Sequence, residues 1–311
     1  MKAVRYHAYG GSDVLVYEKA DRPVAGPGQV VVRVAGTSFN PVDVVIRMGV
    51  LQQVFPVAFP HIPNFDVAGV VDEVGEGVSG WNVGDAVVAF LPMAEPGAAA
   101  EYVAAPAEAL AAAPGTVELA DAAALPTAGL TAWQSLFEHA GLKAGQRVLV
   151  NGAGGAVGGY AVQLARRAGA SVTATASARS HDRVRSYGAD RIVDYTAAPV
   201  LQAVAGQRFD VVLNLVRTSP EETAQLVGLV ADGGAFVSTT TPGPEEAGRG
   251  VRTAQVFVRS DAAQLAELVA RVDAGDLKIE VAERRPLAEL AAVHDQAAAG
   301  RLAGKTVLTP A

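Results

Sequence analysis

The chain divides by its pattern of apolar and polar positions. Residues 30–34, 67–74, 85–90 and 101–104 are short runs rich in β-branched residues, separated by Gly, Pro and Asn signals, with little helical periodicity among them. That texture predicts a β-rich domain over roughly the first 110 residues. From Pro114 it changes. Alanine-rich segments at 119–125 and 127–140 read as helices, and strands at 147–151, 171–175, 191–193 and 209–215 then alternate with helices at 157–168, 182–187 and 221–231. Late strands are expected at 235–238 and 254–258. Alternation at this spacing predicts a parallel sheet in a doubly wound α/β nucleotide fold. The tail, with helices at 261–274 and 287–299 and strands at 278–281 and 305–308, is expected to return to the first domain. The domains so predicted are 1–122 with 270–311, and 123–269.

Composition narrows the function classes. Half of the 311 residues are apolar and 18% are charged. There is no apolar run of about 18 residues, the length that marks a membrane-spanning helix. The opening Met1-Lys-Ala-Val-Arg-Tyr reads as the start of a strand rather than a targeting segment, so a cytoplasmic location with no membrane partner is expected. A formal charge of −7, spread without long runs, argues against a nucleic-acid partner. Zero cysteines excludes disulfides and thiolate-ligated zinc.

The candidate chemistry begins at Val148-Leu-Val-Asn-Gly-Ala-Gly-Gly-Ala-Val-Gly158, between a β-branched run and an alanine-rich helix. Small residues let a backbone turn tightly and approach a pyrophosphate, while the following helix N-terminus offers unpaired N–H groups and positive partial charge. Read as Ala153-x-Gly155-x-x-Gly158, the turn keeps the second and third glycines of a dinucleotide fingerprint, with Ala156 and Val157 opening the helix. About 20 residues further on, an acidic residue would accept from the ribose 2′-hydroxyl of NAD(H). This chain has Ser177-Ala-Arg179 there, with no carboxylate before Asp182. Ser177, Arg179 and Arg183 can instead donate to a 2′-phosphate, which predicts NADPH.

Further segments fall in a recognisable order: Met1-Lys-Ala-Val, Thr37-Ser-Phe-Asn-Pro-Val-Asp43, Pro63-Asn-Phe-Asp-Val-Ala-Gly-Val-Val71, Val83-Gly-Asp85, Leu130-Thr-Ala-Trp133, the glycine turn, and Gly304-Lys-Thr-Val-Leu308. Jointly they resemble the zinc-independent quinone oxidoreductases of the medium-chain dehydrogenase/reductase superfamily, over nearly the whole chain. The resemblance implies a GroES-like catalytic domain, a Rossmann domain, and a cofactor in the cleft between them. Zinc-dependent relatives place a cysteine near Ser38, a histidine–glutamate pair near 64–66 and a four-cysteine lobe after Asp85, and none of these is present. His61, Asp66 and Asp43 could form a histidine–carboxylate set, but hard ligands make a poor Zn²⁺ site and the histidine reads as a loop residue, so no metal is expected.

By the same resemblance Asn40 and Asp43 orient the nicotinamide and substrate, Thr127 lies near the nicotinamide, and Tyr195 packs beside the adenosine phosphate. Their sequence context also has plainer readings. Asn40, Pro41 and Asp43 fit N-cap, N1 and N3 of a helix through residues 44–47, Thr127 fits a helix cap, and Tyr195 fits a half-buried loop aromatic. Asn214, Ser238 and Thr239 fall at carboxyl ends of predicted strands, where doubly wound sheets place ligand contacts. Lys305 either approaches the cofactor or is a surface lysine before an edge strand. The apolar stretch 48–60 is read as a pocket wall or as a turn packed on the core, and no general acid is apparent.

The expected activity is hydride transfer from NADPH to a quinone or conjugated enone. The alternatives are an enone or enoyl reductase acting on a biosynthetic intermediate, and an NADPH-binding structural or regulatory protein. The β-branched stretch 251–258, near the outer end of the predicted Rossmann sheet, is expected to pair two copies into a homodimer.

Overall fold

The architecture was read from a computed structural model that describes residues 1–310. In chain order the elements are β1 (Lys2–Arg5), β2 (Val16–Lys19), β3 (Gln29–Ser38), α1 (Pro41–Arg47), β4 (Asp66–Val74), β5 (Ala86–Phe90), β6 (Tyr102–Pro106) and β7 (Leu110–Ala112). There follow α2 (Leu119–Ala122), α3 (Pro126–Trp133), β8 (Arg147–Asn151), α4 (Ala156–Arg167), β9 (Ser171–Thr175), α5 (Ala178–Ser186), β10 (Arg191–Val193) and α6 (Val200–Ala203). The last are β11 (Phe209–Asn214), α7 (Pro220–Gly228), β12 (Val230–Ser238), β13 (Arg252–Gln255), α8 (Ala262–Asp273), β14 (Glu283–Pro286), α9 (Leu290–Ala298) and β15 (Thr306–Thr309). The fold is α/β with two compact units, one of Met1–Thr127 and the chain from Ser260 onward, the other Ala128–Arg259. The division thus falls at 127 and 259 rather than at 122 and 269, and α8 belongs to the first unit.

The first unit is built on a seven-stranded sheet in the path β14-β15-β3-β4-β5-β7, with β6 on β3. This is the GroES-like half. Its long strand β3 and β4 pair antiparallel, with Ser38 opposite Asp66, and β15 returns against β3 with Val307 opposite Ser38. Carried two residues on, that register brings Lys305 opposite Asn40, so residues far apart in sequence share one end of the sheet. One core cluster, around Tyr6, Phe39, Leu290 and Val293, packs α9 and β1 beneath that end.

The second unit is a six-stranded parallel sheet in the order β10-β9-β8-β11-β12-β13. That order is the Rossmann arrangement, and it reverses between β8 and β11, where such sheets bind ligands. The segment 251–258 supplies β13 at the outer edge of this sheet, and Phe257 just beyond it is exposed.

Several elements depart from the sequence reading. The helix expected at 182–187 starts earlier, as α5 from Ala178, because Ser177 in extended backbone provides its N-cap position. The helix expected at 127–140 is α3 followed by a π-helical stretch, Gln134–His139. The strand expected at 278–281 lies instead at β14, Glu-Arg-Arg-Pro. Apolar alternation gave no signal for it because β14 is an edge strand, where charge is common. Arg284 pairs there with Asp121, and Arg285 with Glu283 and Glu289. The stretch 48–60 exposes Met48, Val50, Val54 and Phe59 in part, yet Val57 packs against the core cluster and the Phe59 ring meets Tyr6 and Tyr9 edge-on.

Candidate active site

The glycine turn belongs to the second unit and works through its backbone. Gly152 holds a left-handed φ of 99°, and a Cβ there would lie 2.8 Å from Val216 Cγ1. Gly158 packs so closely that a Cβ would lie 2.3 Å from the Gly152 oxygen and 2.5 Å from Ala153 Cα. Gly155, by contrast, is the N-cap of α4, and the nearest heavy atom to a Cβ built on it is 3.6 Å away. The three glycines have separate duties: turning the chain, leaving room for a ligand, and letting helix meet strand. Gly155 and Gly158 stand where the sequence frame has them, Ala153 is buried beside Gly158, and Gly152, outside that frame, turns the chain. Gly155 offers α4 no side-chain cap, so the amides of Ala156, Val157 and Gly158 open the helix as a seat for an anion. That arrangement fits a dinucleotide pyrophosphate.

The end of β9 bears on cofactor choice. Ser177 is half-buried at the N-cap of α5, and Arg179 is exposed in the first turn. Asp182, the first carboxylate after β9, is fully solvated on α5 and beside His181. Arg183 Nη2 donates to the Gly154 carbonyl at 2.7 Å and braces the glycine turn.

Other predicted residues of this unit are spoken for locally. Asn214 Oδ1 accepts from Asn151 Nδ2 at 2.9 Å, and its Nδ2 donates to the Val216 carbonyl and Thr218 Oγ1. Ser238 is buried, with Oγ accepting from the Thr240 amide, and the Thr239 amide donates to the Asn214 carbonyl. Asn214, Ser238 and Thr239 thus lock the strand ends together at the switch point. Tyr195 stands 53% exposed after β10.

In the first unit the chemistry converges on Asp66, which is fully buried. Its Oδ2 accepts from Ser38 Oγ at 2.6 Å, Asn40 Nδ2 at 2.8 Å and Lys305 Nζ at 3.3 Å. Its Oδ1 accepts from both the amide (2.8 Å) and the hydroxyl (2.6 Å) of Thr127. Thr127 lies inside the first turn of α3 rather than capping it, and the Asp66 carboxylate caps that turn from outside, where negative charge suits the helix dipole. Lys305 is buried, with its Nζ also donating to Asn40 Oδ1 at 2.7 Å and the Phe39 carbonyl at 3.2 Å. Its three donors match three acceptors, which excludes the surface-lysine reading.

Asn40 and Asp43 do begin α1, but they divide the work differently from a simple cap. The Asp43 carboxylate accepts from the Asn40 amide at 2.7 Å, whereas the Asn40 side chain turns away to Lys305 and Asp66. Burial pushes the Asp43 carboxyl up to about 7, with the Asp66 charge adding to the rise; amide donors at Asn40 and Asn64 and the Lys305 charge oppose it. Asn64 itself holds a left-handed φ of 65°, a conformation Asn tolerates better than most residues.

Sequence reasoning missed Asp66 as the hub, Ser38 as its partner and Arg183 as the brace of the turn. The available signal was an acid and an amide within the otherwise apolar stretch 62–71. Among the described residues no group of three or more His, Asp or Glu is placed to hold a metal ion. The donor set at Asp66 also fits a metal poorly, because an ammonium and four other donors already occupy the carboxylate.

Comparison with known proteins matches both halves. Residues 26–115 fit the family model described as alcohol dehydrogenase GroES-like domain, and residues 187–308 the one described as zinc-binding dehydrogenase. A chloroplast envelope quinone oxidoreductase homolog of Arabidopsis thaliana is 34% identical over 327 residues, covering 100% of this chain and 98% of that protein. A 2-methylene-furan-3-one reductase of Solanum lycopersicum is 33% identical, covering 100% of this chain and 79% of its own. The solved quinone oxidoreductase from Coxiella burnetii superposes with a TM-score of 0.88 at 29% identity, over 99% of each chain.

Proposed function

The chain belongs to the quinone oxidoreductase type of the medium-chain dehydrogenase/reductase family, and on that premise we propose an NADPH-dependent, metal-free reductase of quinones or conjugated enones. A nicotinamide-dependent oxidoreductase follows from the family; the phosphate on the cofactor and the class of acceptor are what we propose beyond it. The observation that carries it is the pairing of an open glycine turn with a strand end that offers Ser177 and Arg179 but no carboxylate. The amides at the start of α4 would hold the pyrophosphate, and Arg179 with Ser177 the 2′-phosphate. NADPH, when bound, supplies the hydride. The first unit contributes a rigid, charge-balanced polar cluster in which Lys305 fixes Asn40 and Asp66. An enone is kept beside a quinone because a relative that spans the whole chain is named for reduction of a methylene-furanone.

The deciding experiment follows NADPH and NADH oxidation with quinones, enones and enoyl thioesters. NADPH-dependent turnover of a quinone or an enone is expected, and Arg179→Ala should weaken NADPH at least tenfold while leaving NADH within twofold. Equal losses for the two cofactors would sink the 2′-phosphate assignment. Tight NADPH binding with no turnover of any acceptor would favour a regulatory role.

A further inference from the structure

Beneath α1, in the first unit, lies a group of buried polar side chains that the Asp66 cluster does not use. The Tyr6 hydroxyl, Nε and Nη1 of Arg47, both amide atoms of Asn64 and both ring nitrogens of His294 have no hydrogen-bond partner within the protein. The four residues are 0%, 4%, 1% and 1% exposed in that order. They are also neighbours. Arg47 is electrostatically coupled to Tyr6 and to His294, Tyr6 is coupled to Asp43, and the backbone N–H of Asn64 donates to the Asp43 carboxylate. The Phe39 ring meets His294 edge-on, with centroids 5.0 Å apart. At the far side Arg47 and His294 both face Asp295, which is exposed and hydrogen-bonded to Ser12.

So many orphaned donors and acceptors in one place require a polar occupant. An isolated buried polar group without a partner costs about 1–3 kcal/mol, and proteins satisfy such groups with internal water. The chemistry here suits water better than an anion, because Asn64 and a neutral imidazole each present an acceptor as well as a donor, and Asp43 stands at one end. Burial keeps His294 neutral, its pKa pushed down to about 3, and keeps the Tyr6 phenol protonated, so neither adds a charge at neutral pH.

We propose that Tyr6, Arg47, Asn64 and His294 line a hydrated chamber that carries protons between Asp43 and the surface at Asp295, making Asp43 the proton store of the site. The proposal rests on the reductase reading for its use: hydride addition leaves the acceptor one proton short, and the chamber replaces from bulk water whatever proton Asp43 gives up. No redox partner beyond the nicotinamide is needed. Asp43 is faced by Asp66 and Lys305 on the sheet side and by Tyr6 on β1's side, so its charge state responds to the Asp66 cluster and to the chamber together.

The test does not need turnover. Infrared difference spectra of the protein against Asp43→Asn, taken after transfer to deuterium oxide, report exchange at the Asp43 carboxyl. Wild type should exchange within the mixing time, while His294→Phe, which removes both ring nitrogens, should slow exchange at least tenfold. Tyr6→Phe provides a milder second variant should His294→Phe fail to fold, and is expected to slow exchange severalfold. Equal exchange in wild type and a folded variant, or a carboxyl ionised throughout pH 5–9, would overturn the proposal. In turnover, the solvent isotope effect should rise in the same variants while that of deuterated NADPH falls. A protein that exchanges as expected yet reduces no acceptor would refute the reductase reading and leave the chamber standing.

Discussion

The glycine turn and the Asp66 cluster solve opposite problems with opposite means. The turn, in the second unit, is made of backbone: its glycines set the spacing, and the helix it leads into has no side-chain cap, so the leading amides of α4 await a partner. The Asp66 cluster, in the first unit, is made of side chains and is closed: each oxygen of Asp66 and each proton of Lys305 already has its partner. A site that must accept a ligand is built from what is absent, and one that must hold its shape is built from matched charges.

The sharpest way to break this contrast is at Asp66. Its replacement by Ala leaves the Lys305 ammonium buried without its carboxylate, and breaking one partner of a buried pair costs about 3–5 kcal/mol. Asp66→Ala with Lys305→Met should cost clearly less than the two single changes summed, because the double variant buries no lone charge. Urea unfolding of the four proteins measures the coupling, and simple additivity would show that the cluster is not a unit. The exposed Arg179 makes the matching control, since its change to Ala should alter stability by under about 0.5 kcal/mol.

At the glycine turn the expected effects are smaller and separable. Gly158→Ala forces a methyl group to within 2.3 Å of the Gly152 oxygen, a backbone atom that cannot swing aside. Such overpacking costs about 1–3 kcal/mol and should disturb nucleotide binding with it. Gly155→Ala, with open space around its Cβ, should leave thermal unfolding nearly unchanged yet weaken NADPH several-fold, because the methyl group stands where the pyrophosphate would approach. A Gly155→Ala protein as destabilised as Gly158→Ala would contradict the division of labour among the glycines.

These two regions also differ in how much the sequence disclosed. The turn is legible because its causes are local: four glycines within seven residues, a strand before and a helix after. Even so, Gly152, which turns the chain, lies outside the dinucleotide fingerprint, since only its backbone angle marks its part. The Asp66 cluster draws on residues 38, 40, 66, 127 and 305, which meet through the registers of β3 with β4 and of β15 with β3. Periodicity finds those strands but not their register. Sequence alone therefore picks out Asn40 and Thr127 singly, by resemblance to a family, and Lys305 by its turn before the closing strand, while Asp66 is visible only as a member of a poor metal-ligand set. Arg183 shows the same limit on a smaller scale: its charge was visible and its partner, a carbonyl of the preceding βα turn, was not.

Acid should expose the difference between the units with the smallest net effect. Burial holds His61 and His294 neutral, with pKa values pushed down to about 4 and about 3, whereas in the unfolded chain both take protons below about 6.5. Their contribution to stability is therefore present above pH 6.5 and is lost as pH falls. Asp43 has the opposite sign: raised to about 7, it binds a proton in the folded state that the unfolded chain, with its carboxylate near 3.9, does not, so its contribution grows as pH falls toward 4. Two groups against one leave a net loss of about 1–2 kcal/mol between pH 7 and pH 5, and Asp43→Asn, which removes the opposing group, should deepen that loss to about 4 kcal/mol. All three groups lie in the first unit, whereas the displaced carboxyls of the second, Asp194 and Glu221, are half-buried and exposed. Hydrogen exchange at pH 5 should accordingly show protection falling first in β1, β3 and α9 while β8 and β11 keep theirs; loss in β8 and β11 first would mean that the closed cluster is not where the protein's acid sensitivity resides.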